Sequence, residues 1–524
     1  MATHDTGRAA PWARSATTLV AELATGEISA ADAVEAHIAR IEEVNPALQA
    51  VVWKRYDAAR AEAADADRRR RGGEPLGPLH GLPITIKESL DLEGSPSTFG
   101  VVSRRDHVAS ADERHVAALR KAGAIVLGKT NVSQLLLFFE SDNPLYGPSR
   151  NPWDHERTPG GSSGGQAAII AAGGSSLGLG TDIGGSTRLP AAFCGIVGIK
   201  PTAGRMPDLG RASVPIGQQA ITSQVGVMAR SVADVVLGMR VAGAAAADGP
   251  MDGLGDTVPP LADPGAVDVA RLRIGWFADD GRFPVTPAAG RAVREAVDAL
   301  ARRGAQVVEW QPPDPDQVES LFYGILAADR FEGARRVLGS SARDPRIKLI
   351  EDSATKPRAL VNLLLIATRR HRTRGIMRHL GPFDTASYWR KVEALLDYRA
   401  LAGAALGDVD AVVSPAAALP ALRHGASAEV SDMGVYMSLY NVLGWPAGTV
   451  PWTRVRAGEE SERPPSRDPC FIAARETERG AAGLPISVQV AARPWRDHVV
   501  LAVLAALEQA AAIAPDHPVT PVAS

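Results

Sequence analysis

The sequence contains few cysteines, few lysines and no long apolar run. Its only two cysteines, Cys194 and Cys470, lie far apart in the 524-residue chain and suit neither a disulfide framework nor a zinc knuckle. No stretch reaches the roughly 20 apolar residues of a membrane-spanning helix. The first fifteen residues lack the apolar core of a secretion signal. These absences predict a cytoplasmic protein that is not secreted.

The charges nearly cancel, with 57 basic and 59 acidic side chains and a net charge of −2. Such a balance offers no general attraction to nucleic acid, so no nucleic-acid partner is expected. Only 8 of the 57 basic residues are lysines, which makes each lysine a candidate for a specific role. The length is sufficient for a deep core that encloses a pocket.

The chain alternates helical patterns with short apolar runs. Ser29, followed by Asp32, predicts the start of an N-terminal helix, and Asn45-Pro46 predicts its end. From residue 77 to residue 204, short apolar segments are separated by glycines. Strands that alternate with helices predict an α/β fold.

One segment matches the phosphate-binding pattern G-x-x-x-x-G-K-[ST], at 123–130. That pattern requires its middle residues to form a loop whose amides surround the phosphates. Here the middle residues are Ala, Ile, Val and Leu, which favour a strand. The sequence therefore argues against a nucleotide site around Lys129.

Two glycine–serine turns give the strongest chemical signal. They are Gly-Gly-Ser-Ser-Gly-Gly at 160–165 and Thr-Asp-Ile-Gly-Gly-Ser at 181–186. Glycines beside a serine permit close approach of the backbone to a substrate, and successive amides can converge on one oxygen. Most such turns are only turns, but two of them 24 residues apart are candidates for a serine nucleophile and its oxyanion site.

A serine nucleophile needs a base, and no histidine lies in either turn. Lys87 ends an apolar run, where burial would lower the pKa of its amine and allow the neutral form to accept a proton. The alternative is that Lys87 faces solvent at the end of a strand, and the pattern alone favours this alternative.

These segments, taken in order, resemble the amidase signature family, and within it the fatty acid amide hydrolases. The resemblance covers nearly the whole chain. It rests on Lys87, on the two turns with Arg188 behind the second, and on the motifs at 195–201, 439–448 and 483–489. Glu88 and Gln134 depart from the family pattern, which has Asp and Glu at these positions in many members.

The resemblance implies a Ser–cis-Ser–Lys triad. Ser186 would be the nucleophile, and Ser162, beside a cis peptide bond, would relay protons between Ser186 and neutral Lys87. The oxyanion would be held by the amides of Ile183, Gly184, Gly185 and Ser186. The residues expected to support the turn are Ser163, Thr181, Asp182 and Arg188. No metal or organic cofactor is implied.

The implied fold is one domain over 1–524 with a large twisted mixed β-sheet between layers of α-helices. Residues 1–75 would form a helical segment that packs on the core, and 76–205 would carry the catalytic residues. A possible basic amphipathic cap covers 355–383. From Lys356 onward it contains seven basic residues and no acid, interleaved with apolar side chains. It could form a solvated helix pair or contact anionic lipid at the membrane surface.

The segment 135–139, Leu-Leu-Leu-Phe-Phe, is too apolar for an exposed loop. It predicts either core or, through the resemblance, a wall for an acyl chain in which Leu136 and Phe139 contact the substrate. Tyr436, Trp445 and Trp452 are further candidates for this wall.

Together these features predict a serine hydrolase that cleaves the C–N bond of carboxamides, with N-acyl amides of fatty or aryl acids as substrates. The alternatives are a hydrolase of small aryl amides, carbamates or esters on the same triad, a glutaminase-type subunit of a transamidation complex, and an inactive scaffold. The filled triad positions argue against the scaffold, and the apolar segment at 135–139 argues against a glutamine pocket. Peripheral membrane contact and a homodimer are further expectations.

Overall fold

The structure is a computed structural model, and it describes residues 9–208, 217–244, 258–380, 384–460 and 463–522. Residues 1–8 of the predicted N-terminal segment and 381–383 of the predicted cap lie outside these ranges. The described residues contain one mixed sheet of eleven strands. The strands are β1 (Val51–Lys54), β2 (Pro83–Lys87), β3 (Ile125–Thr130), β4 (Leu177–Asp182), β5 (Val197–Lys200), β6 (Gln224–Ala229), β7 (Arg273–Trp276), β8 (Gln306–Glu309), β9 (Ala411–Pro415), β10 (Ala447–Arg454) and β11 (Pro485–Ala492).

The strand order is β1-β3-β2-β4-β6-β5-β10-β11-β9-β7-β8. Strand β2 lies parallel to β3 and to β4, and β7 lies parallel to β8 and to β9. The central strands β4, β6, β5, β10, β11 and β9 pair antiparallel with their neighbours in that order. Because parallel strands end at the same edge of a sheet, β2 and β4 bring their last residues close together.

Seventeen α-helices accompany the sheet in the described residues, and none of them is long and apolar enough to cross a membrane. They are α1 (Ala16–Thr25), α2 (Ala30–Leu48), α3 (Tyr56–Arg71), α4 (Arg114–Lys121), α5 (Gly164–Ala171), α6 (Arg188–Cys194), α7 (Val232–Ala244), α8 (Pro287–Arg302), α9 (Pro315–Leu326), α10 (Glu332–Leu338), α11 (Pro345–Thr355), α12 (Arg358–Ala367), α13 (His371–Met377), α14 (Thr385–Leu406), α15 (Val435–Val442), α16 (Pro469–Glu478) and α17 (Asp497–Ala511).

Helices cover both faces of the sheet. On β10, a β-carbon at Gly448 would come within 2.6 Å of Leu504 on α17, so this residue faces α17. Its neighbour Thr449 donates a hydrogen bond to the carbonyl of Arg188 at the start of α6. Since successive strand residues point to opposite faces, α17 and α6 lie on opposite sides of the sheet. The predicted α/β fold, a mixed sheet in a single domain, is confirmed.

The first long helix begins where the sequence predicts, because the Ser29 side chain accepts the Asp32 amide as an N-cap. The predicted end at Asn45-Pro46 is wrong, since α2 continues to Leu48 with Pro46 inside it. Proline removes one helical hydrogen bond near an end that is only two residues away. The Asn45 side chain accepts the amides of Ala50 and Val51 just beyond the helix.

The phosphate-loop pattern at 123–130 forms a strand, as its apolar residues predict. Lys129 lies within β3 and is fully buried. Its amine donates to the Pro96 carbonyl at 2.6 Å and to the Ser97 hydroxyl at 2.9 Å. Burial lowers the pKa of Lys129 to about 8. The lysine of this pattern is thus engaged by the protein itself.

Candidate active site

The sheet topology brings the two glycine–serine turns and Lys87 together. Lys87 is the last residue of β2, and Asp182 is the last residue of the parallel neighbour β4. The turn after β4 carries Ser186 to the start of α6, while Ser162 lies two residues before α5. The three candidate catalytic residues therefore meet at the edge where β2 and β4 end.

Lys87 is fully buried and directly contacts Ser162. Its Nζ donates to the Ser162 hydroxyl and to the Thr181 hydroxyl, each at 2.7 Å. Burial lowers the pKa of Lys87 to about 7, although the carboxylates of Asp208, Asp182 and Glu88 act in the opposite direction. A large fraction of this amine is thus neutral near pH 7, as a general base requires.

The backbone around Ser162 is tightly held. The Gly161–Ser162 peptide bond is cis. A β-carbon at Gly161 would lie 2.5 Å from the Phe138 carbonyl and 2.6 Å from the Glu140 amide, so no larger residue fits here. Ser141 donates to the Ser162 carbonyl at 3.2 Å. The hydroxyl of Ser162 is consequently presented to Lys87 by a rigid frame.

The turn that carries Ser186 is organised by Asp182. This carboxylate accepts the amides of Gly185 at 2.8 Å and Thr187 at 3.2 Å. Gly185 has φ of 110°, a conformation that L side chains rarely adopt, and a β-carbon there would collide with Met437. The glycine is therefore required both by the backbone and by the neighbouring helix α15.

Asp182 also forms a buried ion pair with Arg188 at 3.0 Å. Burial alone would raise the pKa of Asp182, but the Arg188 guanidinium outweighs it and holds that pKa below its ordinary value. Asn441 on α15 donates to Asp182 at 3.0 Å and accepts from Arg188 at 2.6 Å. Gln489 on β11 accepts from Arg188 at 2.6 Å. Four side chains thus form one fully buried network beneath the turn.

Three of the four predicted oxyanion amides lack a protein acceptor. Among the described residues, no acceptor is found for the amides of Ile183, Gly184 and Ser186, whereas the Gly185 amide is engaged by Asp182. The geometry therefore leaves a smaller set of donors than the resemblance implies. Ser163 supports the turn through its backbone amide, which donates to the Ser186 carbonyl at 3.2 Å.

A large cavity opens over these groups. Its empty volume, open mouth included, is about 1500 Å³, and Ser162, Thr181 and Ser186 lie in its wall. No hydrogen bond joins the Ser162 and Ser186 hydroxyls in the described structure. The predicted residues Leu136, Phe139, Ile183 and Gly184 also line it. The remaining apolar wall residues are Leu137, Phe138, Phe322, Leu326, Ala327, Phe331, Ala334, Leu349, Ile350, Ile376, Met377, Leu380 and Ala428.

The prediction that Tyr436, Trp445 and Trp452 line the acyl wall is wrong. The Tyr436 ring stacks on Phe277, and its hydroxyl donates to the Phe283 carbonyl. Trp445 is buried in the core, and the Trp452 indole donates to Glu295 on α8. Aromatic character alone does not separate a cavity wall from the core, because both environments remove the ring from water.

Several residues of the site have no local sequence signal. Phe322 on α9 lies so close to Gly184 that a β-carbon on that glycine would come within 2.7 Å of its ring. Asn441 and Gln489 lie in motifs that support the family resemblance, yet nothing in their spacing indicates contact with Arg188. The departures Glu88 and Gln134 are both engaged: Glu88 accepts the amides of Thr98 and Phe99, and Gln134 donates to the Ala342 carbonyl.

The described residues contain a third buried lysine. Lys200 ends β5, is fully buried and donates to the Pro201 carbonyl at 2.9 Å. Burial lowers the pKa of Lys200 to about 7, and the positive charge of Arg188 acts in the same direction. Lys200 does not line the cavity, so it is not a candidate base for the reaction.

Similarities to known proteins agree with this geometry. The model of the Amidase family matches residues 32–501. A fatty-acid amide hydrolase 1 of Sus scrofa is 33% identical over 505 residues, which cover 94% of this chain and 84% of the relative. One component of a glutamyl-tRNA(Gln) amidotransferase of Nitratidesulfovibrio vulgaris is 32% identical over 502 residues, with 92% and 93% covered.

The solved structure of a fatty acid amide hydrolase superposes with a TM-score of 0.81 at 25% identity, covering 95% of this chain and 85% of that one. The family match spans most of the sequence, including both turns, Lys87 and the helices that surround the cavity. The chain therefore belongs to the amidase family and is an amide-hydrolysing enzyme of that family.

Proposed function

We propose that the protein cleaves carboxamides through an acyl-enzyme formed on Ser186, with Ser162 and Lys87 as the proton relay. The observation that carries this proposal is the 2.7 Å contact between a fully buried Lys87 amine and the Ser162 hydroxyl. Because burial lowers the pKa of this amine to about 7, it can accept a proton under neutral conditions. A solvent-facing lysine would remain charged and could not.

In the proposed reaction the Ser186 oxygen attacks the amide carbon while its proton passes to Ser162, and the Ser162 proton passes to Lys87. For this step the Ser186 hydroxyl turns toward Ser162, as catalytic contacts often tighten only when substrate is bound. The relay then returns the proton to the leaving nitrogen, and the C–N bond breaks. Water attacks the acyl-Ser186 ester through the same relay, which releases the acid and regenerates the serine.

The amides of Ile183, Gly184 and Ser186 would stabilise the negative oxygen of the tetrahedral intermediate. Preorganised amides in a site shielded from water are among the largest contributions to such reactions. Asp182 and Arg188 would act indirectly, because they hold the turn that orients these amides. Thr181 would orient the Lys87 amine by accepting one of its hydrogens.

The substrates would be N-acyl amides with an apolar acyl or aryl group. The support for this class is the wall of the cavity, where leucine, isoleucine, phenylalanine and methionine side chains predominate. The alternative on the same triad is a hydrolase of small aryl amides, carbamates or esters. The two are distinguished by how turnover depends on acyl-chain length.

We expect kcat/KM for N-acyl p-nitroanilides to rise with chain length and then reach a plateau. Each methylene buried in the apolar wall should contribute about 0.8 kcal/mol, or about fourfold in rate, until the cavity is filled. The series should run from acetyl to palmitoyl, with every substrate kept below its micellar concentration as the control. A maximum at acetyl, with longer chains rejected, would instead favour the small-amide alternative.

A glutaminase role in transamidation is the remaining alternative. It is considered because the amidotransferase component is 32% identical to this chain, nearly as much as the fatty-acid amide hydrolase. A glutamine substrate carries an ammonium and a carboxylate that need polar partners. The cavity also contains Asp329 and Arg346, but most of its wall is apolar and includes Phe139, Ile183 and Phe322. This apolar lining favours the hydrolase of apolar amides.

We further propose that the cap around α12 and α13 touches membrane surfaces. Four apolar side chains of α12 are exposed, among them Leu363 at 65%. The inner side of α13 contributes Ile376 and Met377 to the cavity wall, so the cap joins an outer apolar surface to the candidate site. Some of its basic residues face inward, because Arg370 pairs with Glu429 and Arg372 with Asp432. The four exposed side chains are Leu360, Leu363, Leu364 and Ile366.

Sedimentation with anionic vesicles tests this contact. We expect the double change Leu363→Ser and Leu364→Ser to lower the vesicle-bound fraction at least about tenfold. Two leucines that become buried in the lipid would contribute several kcal/mol to partitioning. Arg374→Glu should weaken binding mainly at low salt. The matched control is Ile513→Ser, a still more exposed apolar residue beyond α17. Equal losses for the control and the cap variants would contradict the proposal.

The homodimer and the cytoplasmic location stay predictions. Helix α14 exposes Trp389, Leu396 and Leu401, which would suit a contact with a second copy. Both cysteines are buried free thiols, which suits a reducing compartment.

A further inference from the structure

Two side chains in the apolar cavity wall have hydrogen-bond donors without an acceptor. Arg346 on α11 and Ser427 both line the cavity, with only 9% and 1% of their surface exposed. Within the described residues, neither Nη1 of Arg346 nor the hydroxyl of Ser427 has a hydrogen-bond partner. Buried polar atoms are satisfied in most proteins, so such atoms in a cavity wall indicate a ligand group.

Both residues contact the same carboxylate, Arg346 through its side chain and Ser427 through its backbone amide. Oxygen Oε1 of Glu140 lies 3.3 Å from Nη1 of Arg346 and accepts the Ser427 amide at 2.9 Å. The other nitrogens of Arg346 are already engaged, since Nε and Nη2 donate to Asp344 and Nη2 also to Asp142. Nη1 is ion-paired with Glu140 but has no partner with hydrogen-bond geometry, so its hydrogens are the ones that a ligand oxygen could accept.

The charge of the surroundings restricts what can bind there. Three carboxylates, those of Glu140, Asp142 and Asp344, lie within 3.3 Å of the one guanidinium of Arg346. An added anion would be repelled by this excess of negative charge. A neutral oxygen can accept hydrogen bonds from both donors without that repulsion, and an ether, ketone or hydroxyl group meets this requirement.

The position of these donors places the oxygen near the reacting bond. The backbone of Phe138 and Glu140 packs directly against Gly161, the residue before Ser162. The Arg346 guanidinium also lies over the Phe138 ring, 5.3 Å from its centre. The segment 138–140 thus lies between Arg346 and the relay serine Ser162, and a substrate group that reaches Arg346 is separated from Ser162 by this segment alone.

We propose that Arg346 and Ser427 form a polar subsite that binds a neutral acceptor oxygen within the otherwise apolar part of the substrate. The inference rests on the proposed function, because it assigns a preference among the substrates of the Ser186 site. It predicts that amides carrying one ether, keto or hydroxyl oxygen at a defined position are preferred over the same amides with that oxygen elsewhere.

The test is a scan in which one methylene of a substrate is replaced by an ether oxygen at successive positions. One series places the oxygen along the acyl chain of N-decanoyl p-nitroanilide, and a second places it along an N-alkyl leaving group. An unpartnered oxygen in an apolar wall lowers kcat/KM. At one position, or two adjacent ones, the oxygen should instead be favoured about 3- to 10-fold over its neighbours.

The variants report this positional preference as a ratio within each enzyme. Ser427→Ala should remove most of it, and Arg346→Lys, which keeps the charge but not the Nη1 donor, should reduce it. Ser431→Ala is the matched control, because Ser431 lines the same cavity but its hydroxyl already donates to the carbonyls of Ser427 and Ala428. This variant should retain the preference.

Two results would overturn the subsite. One is turnover of the unsubstituted amide by the wild-type protein with no favoured oxygen position in either series. The other is a favoured position that persists in both Ser427→Ala and Arg346→Lys. Failure of the wild-type protein to cleave any amide of either series would instead count against the proposed function.

Discussion

The change Ser186→Ala should lower amide turnover by at least about 10,000-fold and abolish covalent labelling by a fluorophosphonate. The physical reason is that the proposed covalent bond forms on the Ser186 oxygen, in the turn whose Ile183, Gly184 and Ser186 amides have no protein acceptor among the described residues. The variant removes one oxygen from a residue whose backbone contacts, including the Ser163 amide, remain in place. The fold should therefore persist, which circular dichroism can verify.

Ser175→Ala provides the control for this experiment. Ser175 is also a buried serine, and it lies just before β4, where its hydroxyl donates to the Leu177 carbonyl outside the cavity. Labelling of this variant should match that of the wild-type protein. Mass spectrometry should find the label on Ser186, and a label on another residue in the Ser186→Ala protein would move the nucleophile elsewhere.

The second large effect is expected at Lys87. Replacement by methionine keeps most of the side-chain volume but removes the base, so amide turnover should fall by about 100- to 10,000-fold. The loss should be smaller for a p-nitrophenyl ester, whose leaving group needs no proton. In the wild-type protein kcat/KM should decline as the pH falls below about 7, since protonated Lys87 cannot accept a proton. That decline should be absent from the residual activity of Lys87→Met.

Lys129→Met is the matched control, because Lys129 is a buried lysine on the adjacent strand β3 with a pKa lowered to about 8. Its amine contacts Pro96 and Ser97 rather than a candidate catalytic group. The ratio of amide to ester turnover should stay at the wild-type value in this variant. Equal losses on amide and ester in Lys87→Met would contradict the relay.

The parts of the site that follow local rules were predictable from the sequence. Lys87 ends an apolar run, and each serine stands in a glycine-rich turn, so short-range patterns make all three candidates, while their roles come from the family resemblance. The segment that contains Leu136 and Phe139 was also identified, because five consecutive apolar residues need shelter from water. The meeting of Lys87, Ser162 and Ser186 at one edge of the sheet follows from the parallel arrangement of β2 and β4, once these strands are known to be neighbours.

The residues that depend on distant packing could not be predicted in this way. Arg188 contacts Gln489 across 301 positions of sequence and Asn441 across 253, and no periodicity encodes such pairings. Arg346 and Ser427 approach Glu140 through the same kind of tertiary contact. The error at Tyr436 has the same origin, since the sequence shows an aromatic ring but not which buried surface it joins.

The three buried lysines tie the folding equilibrium to proton concentration. Burial lowers the pKa values of Lys87, Lys129 and Lys200 to about 7, 8 and 7, whereas an unfolded lysine titrates near roughly 10.4. Between about pH 7 and 10 the unfolded chain holds protons that the folded protein does not. Unfolding therefore takes up protons, and the free energy of unfolding rises with pH across this window.

At neutral pH each buried lysine lowers the folding stability by on the order of 3–5 kcal/mol, and the loss vanishes once the pH exceeds the unfolded pKa. The shielding that keeps Lys87 uncharged for catalysis thus has a thermodynamic signature. The contribution of these three amines therefore makes the folded protein more stable in mildly alkaline solution than in neutral solution.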